Sequence, residues 1–497
     1  MENLNQRESA VAVVIGAGIG GLCIATLLVK SGISVTIFDK SVKVGGRTSS
    51  IMFRNHILDN GFHIMPFYRK SAIYTVLRKV GIENRLKLSK VKNIEFYSND
   101  NKNGNGSSSN NFSKYPKGIS DIIFGLSIIP FRSRINLLKI LLPLAFTSIK
   151  KTERWDTISL THAIKDLDEN TKSFFDAICM LAFADVPEHI SLGEFARTII
   201  RANPFRGGTS EFGYPQDGGY DIIAKILAQY IEQTGQNNDN NNNDDITTMS
   251  TRNKILLNCA IKKVIVEDGA VKGVVKFDGR FIESNCVIVS YPAYFAINEL
   301  FEKGVFGEEF VSRVNRLNKT TSVIEVHFAL SQRIEEQRQV VFPVGGEFTA
   351  KGIFFISNIT ESVSPRGEHL VLAGTPVSHE DATKSDKIAR ISELMKKDLE
   401  KIYPHFRRSL IWERPMAWQL VESVVKEPGL VWKQKMPHDV PYVKGLFFVG
   451  DSTISYGIGT DSAAHSAVLC YPKIISYLNT FDTDMVAHPK SDQNGVY

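Results

Sequence analysis

Apolar and polar positions along this chain change period several times, and the clearest change comes near its start. Val11-Ala12-Val13-Val14-Ile15 is an unbroken apolar run, the pattern of a strand covered on both faces. Gly16 to Gly21 interrupts it as a tight turn, Leu22 to Lys30 continues with helical spacing, and Ser34 to Asp39 is a second buried strand. Strand, turn, helix and strand in about 30 residues make a β-α-β unit, which joins two parallel strands. Further on, Tyr220 to Thr234 has helical spacing, and Ile255 to Leu257 and Lys262 to Glu267 read as strands. Val271 to Phe277 and Arg280 to Glu283 read as a hairpin turning at Asp278-Gly279. Cys286 to Ser290 and Gly445 to Val449 are short buried strands, and a helix is predicted from Ser462 to Leu478.

Other stretches depart from these patterns. Ser98 to Ser113 is rich in Asn, Gly and Ser, and Gln236 to Asp245 is almost entirely Asn and Asp. Neither can bury apolar area, so both are expected to be exposed loops. Ile119 to Phe131 and Ile135 to Ile149 are strongly apolar, yet each falls short of the roughly 18 residues that span a bilayer.

Composition narrows the class. A chain of 497 residues with 43% hydrophobic and 23% charged residues is a folded, multi-domain protein. The net charge of +6 is too slight for nucleic-acid binding, but it is concentrated. Between Lys114 and Lys151 the cations Lys114, Lys117, Arg132, Arg134, Lys139, Lys150 and Lys151 face one acid, Asp121. Cations beside short apolar runs suit an anionic membrane surface, so peripheral docking is expected through a pair of helices within residues 118–151, the alternative being two buried core helices with solvated ends. Five scattered cysteines without C-x-x-C spacing argue for free thiols in a reducing compartment and against a zinc site. The first apolar run is too short for a signal-peptide core, so a cytoplasmic location is expected.

Gly16-Ala17-Gly18-Ile19-Gly20-Gly21 satisfies G-x-G-x-x-G between a strand and a helix, where backbone N–H groups and the positive helix end can face a pyrophosphate. Asp39 ends the next strand 23 residues after Gly16, where a carboxylate can accept both ribose hydroxyls. Lys40 follows, then Gly45-Gly46-Arg47 and Asp59-Asn60-Gly61-Phe62-His63. On these motifs the sequence resembles the FAD-dependent family of phytoene desaturases, carotenoid isomerases, retinol saturases, flavin amine oxidases and protoporphyrinogen oxidases. Further blocks extend the resemblance: Tyr214 to Tyr220, the strand around Val264, Gly450-Asp451-Ser452, and Gly459-Thr460-Asp461 at the entry to the last helix. It implies FAD as cofactor and an α/β fold, a Rossmann-like FAD-binding domain interleaved with an α+β substrate domain. The FAD domain would take residues 1–97, 211–300 and 416–480, the substrate domain 98–210 and 301–415, and 481–497 would be a tail.

The resemblance implies cofactor contacts at Gly16, Gly18, Gly20, Gly21, Gly45, Gly46, Gly61, Gly450 and Gly459, and at Asp39, Lys40, Arg47, Phe62, His63, Val264, Asp451, Thr460 and Asp461. A flavin carries the electron chemistry itself, so no triad or metal cluster is required, and the sequence identifies no catalytic acid or base. His63 is as consistent with structural hydrogen bonding as with proton transfer, His465 reads as packing or capping in the last helix, and Cys470 reads as a buried thiol. Flavin amine oxidases commonly place an aromatic residue where this chain has Thr460, which cannot wall an amine cage. The expected activity is therefore desaturation, saturation or isomerisation of an apolar polyene or isoprenoid. Amine or porphyrinogen oxidation, and a non-enzymatic prenyl-binding role like that of Rab GDP-dissociation inhibitors, remain as alternatives.

Overall fold

The first apolar run becomes the centre of a five-stranded parallel sheet because neither of its faces meets water. In the computed structural model, which describes residues 8–9, 12–67, 71–99, 111–202, 211–236, 253–345 and 347–487, Ala12–Ile15 is buried at every position. Its neighbours run outward as Val35–Phe38 and Lys254–Leu256 on one side, Val287–Val289 and Leu446–Phe448 on the other. The Asn/Asp tract from 237 onward, most of the Ser98 to Ser113 tract, Val11 and the tail from 488 lie outside the described residues.

All five strands point the same way, so their carboxyl ends form one edge, the edge at which open parallel sheets bind ligands. Gly16, Asp39, Ser290 and Gly450 each lie one or two residues past the end of their strand. The helix Ile19–Lys30 lies against the sheet with Ile19 to Val29 all buried, and it packs on the helices Ile222–Gln236 and Gly459–Ala487. The last of these begins three residues before the expected Ser462, because Glu422 Oε1 accepts from Gly459 N–H at 2.6 Å. The predicted hairpin forms from Ala270–Lys276 and Phe281–Glu283, with Ile261–Glu267 antiparallel beside it.

A seven-stranded mixed sheet makes the second layer system. Its order is Leu410–Trp418, Ser322–Leu330, His369–Val377, Gly352–Phe355, Val340–Pro343, Ile94–Tyr97 and Phe112–Lys114, with one parallel pairing, between Val340–Pro343 and Ile94–Tyr97. Ser322–Leu330 is buried at all nine positions.

The two apolar runs do not form a matched pair of helices. Ile119 to Phe131 folds into a single wide turn over Asp121–Gly125 that buries Ile122, Leu126 and Ile129. Phe131–Phe146 is a helix with Pro143 inside it, and Leu137, Leu138, Leu141 and Leu144 face the protein. Arg134 turns inward to donate to the carbonyls of Ile129 and Ile123, both at 2.7 Å, so it is a folding contact and not a free surface cation. The outer face keeps Phe124 78%, Phe131 59% and Phe146 50% exposed, unusual values for phenylalanine. Among the described residues no helix is long and apolar enough to cross a membrane.

The helix Leu192–Ala202 is held by buried charge. Arg197 pairs with Asp156 and with Glu194, both at 2.8 Å, and donates to Thr152 Oγ1 at 3.0 Å. Arg197→Met would leave two buried carboxylates without their cation, at a cost of about 3–5 kcal/mol. A urea titration should show a lower midpoint with an unchanged slope; an unchanged midpoint would show that the pair contributes nothing.

Candidate functional site

Two adjoining cavities open at the carboxyl edge of the parallel sheet. The larger, about 590 Å³, is lined by Gly16, Gly18, Gly20, Asp39, Lys40, Gly45, Gly46, Arg47, His63, Gly450, Asp451, Gly459 and Thr460 among others. The smaller, about 290 Å³, shares Gly46, Arg47, His63, Gly459 and Thr460 with it and adds Gly61 and Phe62. Of the sequence-predicted contacts, Gly21, Val264 and Asp461 line neither cavity.

The three motif glycines of the turn stand in different surroundings. Gly16 has a φ of +106°, and a Cβ there would come within 2.6 Å of Ser290 O. A Cβ on Gly21 would sit 2.0 Å from Gly16 O, so this glycine serves helix–strand packing and not ligand contact. Gly18 is extended, with a φ of −74°, and a Cβ on it would meet no protein atom within 4 Å. No contact within the protein requires glycine there; Gly18 lines the cavity. As N-cap it offers no side chain, so the first-turn N–H groups of the helix are left for a ligand.

Asp39 is fixed by two backbone donors, Ala17 N–H at 2.6 Å on one oxygen and Ser41 N–H at 2.7 Å on the other. Each oxygen retains a lone pair toward the cavity, as a ribose diol requires. Lys40 lies over the Tyr291 ring, 5.4 Å from its centroid, on the same wall.

Arg47 does something the sequence did not indicate. Its guanidinium forks onto Asp451, Nη2 to Oδ1 at 2.6 Å and Nη1 to Oδ2 at 3.0 Å, and Nη1 also donates to Val421 O at 2.9 Å. Ser423 adds its N–H at 2.7 Å and its hydroxyl at 2.6 Å to the same carboxylate. The Arg47 charge and these donors hold Asp451 ionised well below the usual carboxylate range despite its burial. Lys435 Nζ donates to Asp451 O and to Ser455 Oγ, both at 2.9 Å, and burial with Lys426 nearby pulls it down to about 7.

Asp59 is a second joint. It accepts from Ser50 Oγ at 2.6 Å, Tyr214 OH at 2.6 Å and Tyr220 N–H at 2.9 Å, pinning the Tyr214-to-Tyr220 turn to the Asp59-to-His63 segment. His63 bonds Asn60 O at 3.0 Å and stacks on Tyr220 at 4.8 Å, and burial holds it below its ordinary value. Phe62 stacks on Phe354 in the smaller cavity, away from the cofactor edge.

Asp461 is occupied by the protein itself. Oδ1 accepts from Ser71 Oγ at 3.0 Å and from Ala72 N–H, and Oδ2 from Arg201 at 2.5 Å, which ties the terminal helix to its neighbour. Val264 faces the second core cluster, and Ala260 and Ile261, just before it, reach the cavity instead. His465 accepts from Tyr456 N–H at 3.3 Å and lies on its ring, and burial pulls it down to about 4. Cys470 is buried and free.

The sequence reading missed Glu325 and Trp418. Glu325 is buried in the smaller cavity and accepts from Trp418 Nε1 at 2.5 Å. Burial pushes the Glu325 carboxyl up to about 8, against the two donors, Trp418 and the Gly61 backbone, that favour its charge. Its one warning in the sequence is an acid in the middle of the apolar run Ser322-Val323-Ile324-Glu325-Val326-His327-Phe328.

The family model for flavin containing amine oxidoreductases matches residues 19–470. A curated relative, the 4,4'-diapophytoene desaturase (4,4'-diapolycopene-forming) of Methylomonas sp, is 24% identical over 370 residues, 71% of this chain and 67% of the relative. An oxidoreductase from Methanosarcina mazei superposes with a TM-score of 0.71 at 21% identity, covering 92% of this chain and 99% of its own. A putrescine oxidase bound to putrescine superposes at 0.67 and 14% identity, covering 97% and 100%.

The open space before Gly18, the bare helix terminus and the Asp39 carboxylate fit an FAD diphosphate and ribose, and they separate binding from folding. Gly18→Val should keep its far-ultraviolet circular dichroism but lose FAD absorbance at least tenfold per protein. Gly21→Ala should lose both. Full flavin content in Gly18→Val would mean that the diphosphate lies elsewhere.

Proposed function

The chain belongs to the family of flavin containing amine oxidoreductases and is an FAD-dependent oxidoreductase; from that premise we propose that its substrate is a long apolar polyene or isoprenoid. The observation that carries this reading is the smaller cavity. Ile64, Leu181, Phe183, Leu372, Trp418 and Leu420 give it carbon walls, and Thr460 stands where an amine cage needs an aromatic face. The desaturase relative supports the same substrate class.

FAD, when bound, supplies two-electron transfer. The glycine turn, Asp39 and the Arg47–Asp451 pair would hold it, and the smaller cavity would press a substrate chain against the shared wall at Gly46, His63 and Thr460. Water exclusion comes from the apolar lining, and orientation from its shape, since a hydrocarbon offers no hydrogen bonds.

The route by which such a substrate arrives belongs to the same proposal. Phe124, Phe131, Ile135 and Phe146 would insert into an anionic lipid surface, with Lys117, Arg132, Lys139 and Lys150, all exposed, at the headgroups.

Anaerobic mixing tests the substrate class: a C30 or C40 polyene in detergent micelles should bleach the flavin absorbance of the holoenzyme, and putrescine or another polyamine should not. Bleaching by amines alone would overturn the reading. For the surface, the protein should sediment with phosphatidylglycerol vesicles at low salt. The Phe124→Ser/Phe131→Ser/Phe146→Ser variant should bind at least tenfold more weakly, and equal binding would rule this face out.

A further inference from the structure

The smaller cavity holds one acidic group that nothing so far uses. Its charged lining residues are Arg47, Glu422 and Glu325. Arg47 is committed to Asp451, and Glu422 pairs with Lys426 at 3.1 Å and accepts from Gly459 N–H. Among the described residues Glu325 has no cation within ion-pair distance, and its bonded side-chain partner is the neutral indole of Trp418.

Its position is rigid. Glu325 lies in the middle of the fully buried strand Ser322–Leu330, opposite Gly374 on one side and Met416 on the other. Gly374 puts no side chain beside Glu325; a Cβ there would lie 3.7 Å from Glu325 Cβ and 3.6 Å from Met180 Cε. Gly374 and Glu325 both line the cavity.

An uncompensated carboxyl in an apolar cavity is costly, and apolar burial of this kind suits a group that must change its protonation state. Resting on the polyene reading above, we propose that Glu325 is a catalytic residue that exchanges a proton with a substrate carbon. In the oxidative direction two C–H bonds of neighbouring carbons break and one C=C bond forms. One hydrogen leaves with its bonding electron pair, the two electrons that bound FAD would take up, and the other leaves as a proton while its bonding pair becomes the new π bond. The proton passes from the second carbon to a Glu325 carboxylate oxygen, leaving a neutral carboxyl that then loses the proton to solvent.

The surroundings fix the direction of its pH response. Asp59 and His63 face it from the loop that carries Gly61, Arg47 from the glycine segment, and Glu422 from the segment after Trp418. His327 lies two residues along the same strand with Arg414 opposite it. His327, buried beside Arg414, is held down to about 3 and stays neutral, and the Asp59 charge disfavours a second anion. The carboxyl is therefore the neutral acid below about pH 8 and the base above it.

Two measurements on the holoenzyme test this. Without substrate, infrared difference spectra between pH 6 and pH 10 should show a protonated-carboxyl band that disappears with a midpoint near 8 and is missing in Glu325→Gln. In single-turnover flavin reduction by a polyene, the wild-type rate should rise about tenfold per pH unit below 8 and then level. Glu325→Gln should lose this limb and about 10²–10⁴-fold in rate, while Glu325→Asp recovers part of both. No titrating band near 8, or Glu325→Gln matching wild type in rate and pH profile, would overturn the role of Glu325 alone. Failure of every polyene to reduce the wild-type flavin would instead overturn the substrate reading, and with it the step.

Discussion

The fork between Arg47 and Asp451 joins two ends of the chain that are 404 residues apart, and the cofactor cavity depends on that junction. One partner follows the second glycine pair, and the other follows the last strand of the parallel sheet. Ser423 closes on the same carboxylate, so the segment leaving the seven-stranded sheet is fixed at the same point. A bidentate, charge-assisted contact sets angle as well as distance, which a hydrophobic contact cannot do. With Asp59 pinning the Tyr214 turn, two carboxylates align four remote segments around one cavity.

The division of labour between the cavities follows from their linings. The larger has glycine backbone at the ends of the parallel strands, where N–H groups can meet phosphates, and apolar walls from Phe38, Ile261, Phe277, Phe295 and Leu300. The smaller is built from large apolar side chains and is bordered by the sheet that carries Glu325. A neutral Glu325 adds no charge to a lining whose other ionic groups, Arg47 and Glu422, are already paired.

Local constraints were readable in the sequence, and long-range ones were not. The strand, glycine turn, helix and Asp39 all lie between Val11 and Asp39, so pattern and spacing were enough to assemble them, and the hairpin around Asp278-Gly279 was legible for the same reason. Arg47 was legible as a cation near the cofactor, but its partner was hidden by sequence distance. Asp461 looked like a cofactor contact because it sits in a cofactor motif, and only tertiary structure shows it spent on Ser71, Ala72 and Arg201. The apolar runs near residue 130 carried the correct hydropathy but not the shape, because Arg134 folds the first of them back on itself. Glu325 went unread because nothing in the sequence separates a buried functional acid from a tolerated one.

A double-mutant cycle between Arg47→Met and Asp451→Asn, read as FAD affinity of the full chain, tests the junction most directly. If the two residues act as one lock, the double variant binds FAD about as weakly as the weaker single variant. Losses that simply add would show that each residue serves the cofactor separately and that the fork is incidental.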